Sequence, residues 1–266
     1  MSELQISGRL DLCAENKNGK TIISDCFFTS PYKLAKPFYN EDAPSQNAYT
    51  EIMIMCASPG VLSGDIYNMR FDLSENTKTI ITEQSYRKLY NANKTSRQNT
   101  GIQLGENASL YYVPYPVIPF AGSRFNSKTE IKLRGSSRLI YGDIMSCGRQ
   151  GMGEQFAFKE LTSRTAIYID EGLNFLDNNY MVNGDSEYDI DFSGLGFFET
   201  YSCQGVFVLY GFNDFSLKSI TVPAGLEAAV SKSSSAGLTV RMLGNSANEL
   251  HNFANNLFLP LFKADK

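Results

Sequence analysis

The sequence has no tryptophan, one histidine (His251) and five widely spaced cysteines: Cys13, Cys26, Cys56, Cys147 and Cys203. Each scarcity removes a class of chemistry. A Ser-His-Asp or Cys-His site needs an imidazole base. The single histidine falls inside a predicted C-terminal helix with no nucleophile motif beside it, and reads as a surface or cap-like residue. Zinc sites gather Cys and His at short spacing, and here there is no CxxC pair. An odd, dispersed set of cysteines also argues against a disulfide framework, so reduced thiols and a cytoplasmic location are expected.

Other signals are missing too. No apolar run reaches about eighteen residues, so no membrane-spanning helix is expected. The start, MSELQISGRLDL, shows neither the basic nor the apolar segment of a secretory signal. Lys and Arg number 24 against 28 Asp and Glu, a net charge of -4, with the basic residues scattered. That balance argues against nucleic acid as the main partner. No P-loop, GxSxG or post-strand GxGxxG occurs. The run Gly148-Arg-Gln-Gly-Met-Gly153 lacks the Lys-Ser/Thr ending of a phosphate loop and reads as a turn needing positive φ.

What is present is a globular composition, 42% hydrophobic and 20% charged, with no linker to divide residues 1–266. Turn signals recur at short intervals, among them Asn18-Gly19, Gly105-Glu106-Asn107 and Asn183-Gly184-Asp185. Between them lie segments of period-2 alternation, such as Tyr67, Met69, Phe71 and Leu73, the pattern of half-buried strands. The longest loops are expected over Asn40 to Thr50 and Asn91 to Asn99. The segments also resemble one another. Phe71-x-Leu73, Ile102-x-Leu104 and Ile131-x-Leu133 recur at a spacing near thirty, with a weaker copy at Ile167. Each of the first three is followed by a second apolar triplet: Thr79-Ile80-Ile81, Leu110-Tyr111-Tyr112 and Leu139-Ile140-Tyr141. A period of this length suits stacked β-units of a solenoid, and similar hairpins in an antiparallel sandwich give the same pattern. Near the C-terminus, helices are predicted over Leu226 to Ser233 and over Ala247 to Leu259. The second is capped by Ser246 and Glu249 and ended or kinked by Pro260. Gly237 to Leu243 reads as a strand between them.

Three stretches carry more information: Asp25-Cys-Phe-Phe-Thr-Ser-Pro-Tyr-Lys-Leu-Ala-Lys-Pro-Phe-Tyr39, Glu51-Ile-Met-Ile-Met-Cys-Ala-Ser-Pro-Gly-Val-Leu-Ser-Gly-Asp65, and Tyr112-Val-Pro-Tyr-Pro-Val-Ile-Pro-Phe120 continuing to Gly148-Arg149 and Gly153-Glu154. With Ile81-Thr82-Glu83-Gln84-Ser85, Arg87-Lys88-Leu89-Tyr90 and Leu238-Thr-Val-Arg241, in this order, the chain resembles the UreD family of urease accessory proteins, also called UreH. One position departs: Tyr115 stands where the family commonly has an acid between two prolines.

The resemblance implies a mainly β fold, a solenoid-like (β-helix-type) stack of short strands with a few helices near the C-terminus. It implies a non-enzymatic scaffold that bridges UreF-like and UreG-like partners to apo-urease, within a dimer of heterotrimers. No cofactor would be stably bound; Ni²⁺ would be in transit through an internal passage. Asp65, Glu83, Ser85, Asp143 and Glu154 are candidates to line it, with Glu83 and Ser85 placed on one face of an extended segment by alternation. Phe27, Phe28, Tyr32, Phe38 and Tyr39 are candidates for a partner surface, against the reading that they are ordinary strand core. The alternative from another class is a carboxylate-pair hydrolase acting on polysaccharide.

Overall fold

The computed structural model describes residues 7–40, 48–183, 190–233 and 237–264. The expected turn at Gly184-Asp185 and most of the Asn40–Thr50 loop lie outside the described residues. The strands are, in order, β1 (Gly8–Lys17), β2 (Lys20–Phe28), β3 (Tyr32–Leu34), β4 (Phe38–Tyr39), β5 (Thr50–Cys56), β6 (Ile66–Leu73), β7 (Lys78–Glu83), β8 (Arg87–Leu89) and β9 (Ser96–Leu104). They continue as β10 (Ser109–Tyr112), β11 (Val117–Pro119), β12 (Arg124–Leu133), β13 (Arg138–Ser146), β14 (Glu160–Ile169), β15 (Gly172–Val182), β16 (Cys203–Tyr210), β17 (Leu226–Lys232) and β18 (Gly237–Gly244). One α-helix, α1 (Ala247–Ala264), follows.

The strands form two sheets. One is seven-stranded, in the order β15-β14-β12-β9-β6-β1-β2. The other is eleven-stranded, with β17-β18-β16-β13-β10-β7-β5-β3 as its main path. The repeat units alternate between the sheets: β6, β9 and β12 belong to the first, and β7, β10 and β13 to the second. Within each sheet these strands pair in parallel, and the register follows the sequence repeat. Phe71 lies opposite Ile102, Ile102 opposite Ile131, and Ile131 opposite Ile167. In the second sheet Ile81 faces Tyr112, and Tyr112 faces Tyr141.

The turns after β6, β9 and β12 stack as well. Asn76 and Asn107 both take the left-handed conformation. The Asn107 amide donates to Asn76 Oδ1 at 3.2 Å, and the Asn107 N–H donates to Ser136 Oγ at 3.0 Å. A Cβ on Gly105 would sit 2.6 Å from the Glu75 nitrogen, so only glycine lets the second turn rest on the first.

The core has two parts because the second sheet is covered on both faces. Between the sheets lie Phe71, Ile102, Ile131, Leu110 and Leu139, all fully buried. On the outer face of the second sheet, Ile80, Tyr111, Ile140, Phe207 and Leu209 pack under α1, which contributes Leu250, Ala254, Phe258 and Phe262. That explains why β10 is buried along its whole length. Phe207 lies across two glycines: a Cβ on Gly142 or Gly205 would approach its ring to 2.8 Å.

Several expectations are corrected. Leu226 to Ser233 forms no helix; Leu226–Lys232 pairs along β18 as a strand, because an open sheet edge supplies hydrogen bonds that a short isolated helix would lack. Among the described residues a single α-helix therefore stands near the C-terminus instead of a few, besides the short 3₁₀ turns Gln150–Met152 and Leu217–Ser219. Pro260 does not end α1, which runs to Ala264. The segment from Asn91 to Asn99 is no long loop, since β9 starts at Ser96. The glycine run at 148–153 is the expected turn, with Gly148 and Gly153 at positive φ.

Ile131 sits at the centre of the repeat register with no exposed surface. Ile131→Ala is expected to cost about 2–5 kcal/mol and Ile131→Val about 0.5–1.5 kcal/mol, read from urea denaturation midpoints at unchanged slope. Equal, negligible losses would show that the registered column does not hold the sheets together.

Candidate functional site

Register makes layers. One level from the apolar column Phe71, Ile102, Ile131, Ile167, the first sheet presents Met69, Thr100, Thr129 and Thr165. One level further it presents Tyr67, Gln98, Ser127 and Ser163. The interior thus changes from apolar to polar along the strands. The second sheet matches it: Glu83 ends β7, Tyr112 ends β10, and Tyr141 and Asp143 lie two residues apart on β13.

These groups bond across the gap. Glu83 is buried, and its Oε1 accepts from Arg87 Nη2 and from the Tyr112 hydroxyl, both at 2.9 Å. Arg87 opens β8 four residues later, after a short bend beyond the end of β7, and its side chain is 16% exposed. Burial works against the guanidinium charge, but Glu83, Tyr112, Tyr32 and Asp143 together outweigh it and the pKa is raised. Tyr141 donates to Thr129 Oγ1 at 3.3 Å, and Ser163 donates to Asp143 Oδ2 at 2.7 Å. At the far side Arg241 on β18 pairs with Asp177 on β15 at 2.6 Å, joining the two sheets. A polar seam therefore crosses the sandwich from β7 to β18.

Burial pushes the Asp143 carboxyl up from its ordinary pKa; the Ser163 hydroxyl and the Arg87 charge pull against that shift, and Asp177 adds to it. The phenols of Tyr112 and Tyr141 are also raised, mainly by burial, so both are neutral donors at physiological pH.

At the β7 side the seam meets a pocket of about 210 Å³ lined by Tyr32, Cys56, Tyr67, Glu83, Ser85, Arg87 and Gln98, among others. Gln98 is 5% exposed, its Nε2 donates to Thr100 Oγ1, and its Oε1 has no hydrogen-bond partner.

The structure sorts the sequence candidates. Glu83 and Asp143 lie in the seam. Ser85 does not share a strand face with Glu83: β7 ends at Glu83, and Ser85 is exposed in the following turn, bordering the same pocket. Asp65 reaches the pocket only indirectly, accepting from the Leu62 N–H and the Tyr67 hydroxyl, each at 2.8 Å. Glu154 is held by Arg149 and the Ala121 N–H, outside the seam; the Arg149 hydrogen bonds keep its carboxyl below the ordinary value. Of the aromatic set, Phe27, Phe28, Phe38 and Tyr39 are exposed. Tyr32 is corrected to core: it is buried and packs edge-on to Tyr67 at 5.7 Å. His251 is buried rather than superficial, and stacks on Tyr115 at 4.4 Å. Burial lowers its pKa. Tyr115 also meets Tyr86 edge-on, so the residue at the family's acidic position is a packing residue here.

Arg87, Gln98, Asp177 and Arg241 were not singled out as site residues. A signal existed for two of them. Arg87 follows Glu83 at a spacing of four, and Gln98 sits among Ser96 and Thr100 on the face that later carries Ile102 and Leu104.

Among the described residues, no three His, Cys, Asp or Glu side chains gather as a metal cluster, and no helix is long and apolar enough to cross a membrane. The family model described as UreD urease accessory protein matches residues 7–263. A urease accessory protein UreD of Acetivibrio thermocellus is 34% identical over 249 residues, 91% of this chain and 92% of that one. A urease accessory protein UreH of Helicobacter acinonychis is 31% identical across 88% of this chain and 86% of its own. One of Helicobacter pylori is 38% identical over 165 residues, covering 62% and 60% respectively. The polysaccharide-hydrolase alternative finds no support among these matches.

The raised Asp143 pKa has a stability consequence. A carboxyl whose folded pKa lies above its unfolded value carries its penalty in full above the folded pKa and loses it below the unfolded one. Asp143→Asn is therefore expected to raise the melting temperature at neutral pH, by a margin that vanishes as pH falls through the carboxylate range. A destabilised variant at neutral pH would refute this assignment.

Proposed function

The chain belongs to the UreD family of urease accessory proteins, which gives it a role in urease maturation, and within that role we propose that it is the non-catalytic scaffold joining UreF-like and UreG-like nickel-delivery partners to apo-urease. Ni²⁺ passes through the seam between its two sheets, held by no stable cofactor site. The solenoid-like path is part of the same proposal, supported by the parallel, repeat-matched register of β6, β9, β12 and β14. The scaffold works in the cytoplasm, within a dimer of heterotrimers.

The observation that carries this reading is the polar layer in an otherwise apolar interior. Buried polar groups cost free energy unless satisfied, and here Gln98 Oε1 remains without a partner. A passage gives such groups a use. Carboxylates, hydroxyls and amides hold nickel less tightly than imidazole or thiolate donors, and a conducting path needs several weak sites rather than one strong one. Exposed Phe27, Phe28, Phe38 and Tyr39 provide apolar surface of the kind a partner covers.

Two experiments test the proposal. Glu83→Gln and Asp143→Asn are expected to co-purify with the UreF-like and UreG-like proteins while lowering the nickel content and activity of urease by about tenfold, the usual scale for groups around a metal. Full nickel loading in both variants would sink the passage. Phe27→Glu and Phe38→Glu are expected to lose co-purification while stability stays within about 0.5 kcal/mol, as for ordinary surface changes. Intact complexes in both would remove these aromatics from the interface.

A further inference from the structure

The seam contains a charge of the wrong sign for a cation route. Arg87 is bound to Glu83, lines the same pocket, and acts on Asp143 through space. An Arg guanidinium remains protonated throughout the physiological range, so its charge leaves the carboxylates only if the side chain moves. Room for movement exists in the 210 Å³ pocket, which Arg87 borders. The Glu83 carboxylate is also held independently by the Tyr112 hydroxyl, so it stays in place when Arg87 leaves. In the same pocket, Gln98 Oε1 is a buried acceptor with no donor.

From this we infer that Arg87 is a tethered counter-cation: it holds the Glu83 carboxylate at the mouth of the seam, in the pocket that Gln98 also lines, and yields that carboxylate when a divalent cation arrives. The inference rests on the passage reading and adds a mechanism to it. With the guanidinium seated, the acid is neutralised and no metal accumulates. An incoming Ni²⁺ competes for the carboxylate and draws on the lone pairs of Gln98 Oε1, which the seated guanidinium leaves unused. As the metal moves on, the guanidinium returns and prevents backward binding. Arg87 is thus a positioning residue for cargo, setting how briefly it is held.

The test is nickel binding to the purified accessory complex, without urease, by equilibrium dialysis. Arg87→Gln removes the charge and is expected to tighten Ni²⁺ binding by about tenfold or more, since one unit charge a few ångströms away repels a divalent ion strongly at the effective dielectric of a protein. Nickel should also raise the melting temperature of this variant and not that of the Arg87→Gln/Glu83→Gln double variant, in which the carboxylate is gone. A purely structural role for Arg87 moves neither readout. If Arg87→Gln does not fold, Arg87→Lys decides: its single, more strongly hydrated ammonium grips Glu83 less well, so a smaller tightening is expected. Wild-type affinity in the folded variant overturns the inference. The passage itself fails separately, if Glu83→Gln loads urease fully whatever Arg87→Gln does to nickel affinity.

Discussion

In a parallel ladder each residue's neighbour is fixed by the strand it joins, and a slip of one position turns every side chain to the other face. This chain applies that constraint repeatedly. Once Phe71, Ile102, Ile131 and Ile167 are aligned as a column, the residues two and four positions earlier are aligned too. The threonine level and the Gln98, Ser127, Ser163 level are consequences of the apolar register. Stacked asparagine turns at 76 and 107 set the length of each unit, so the level of one strand is carried to the next. The seam is thus positioned by the least reactive residues in the molecule.

The seam is energetically expensive relative to what the same strands achieve elsewhere. A buried ion pair such as Glu83–Arg87 is often no more stable than apolar residues of equal volume. Asp143 is held with its charge opposed by burial, and the Gln98 amide oxygen is left without a partner. Nothing in the fold requires this: a few residues along the same strands the interior is closed by Leu73, Leu104 and Leu133, with at most 3% of their surface exposed. Where local rules of burial are broken without a gain in stability, function is the usual reason.

Much of this was legible in advance, for identifiable reasons. The repeat spacing near thirty and the alternation Tyr67, Met69, Phe71, Leu73 encode strand pairing directly, and the parallel register reproduces them. Glu83 and Asp143 were visible as acids on strand-like segments. The long-range contacts of the seam were hidden because they join distant parts of the chain: Ser163 meets Asp143 across the sheets, and Asp177 meets Arg241 from 64 residues away. Alternation failed for Ser85 because it assumes that the strand continues, and β7 stops at Glu83. The helix expected at Leu226–Ser233 failed for a related reason. Its sequence suits either state, and the free edge of β18 decides.

The departure at Tyr115 bears on what the seam can hold. The aromatic ring there stacks on His251, and Tyr86 joins it while its hydroxyl donates to Asn248 Oδ1. The segment between β10 and β11 is fastened to α1 by packing, and the sole imidazole of the chain is used in that fastening. Cys203 is buried with its thiol donating to the Gly244 carbonyl, and burial pushes its pKa up to about 12, so it offers no thiolate. Cys147 is buried and shifted in the same direction. Beyond Cys56 at the pocket wall and the thioether of Met69, the inward metal-binding atoms described for the seam are oxygens. Nickel prefers nitrogen and sulfur, so in the proposed passage a path of oxygens with an arginine at its mouth would favour release over retention. The chain's poverty in histidine and its use of the one it has are, on this reading, the same property: a conduit works by lacking any site good enough to stop in.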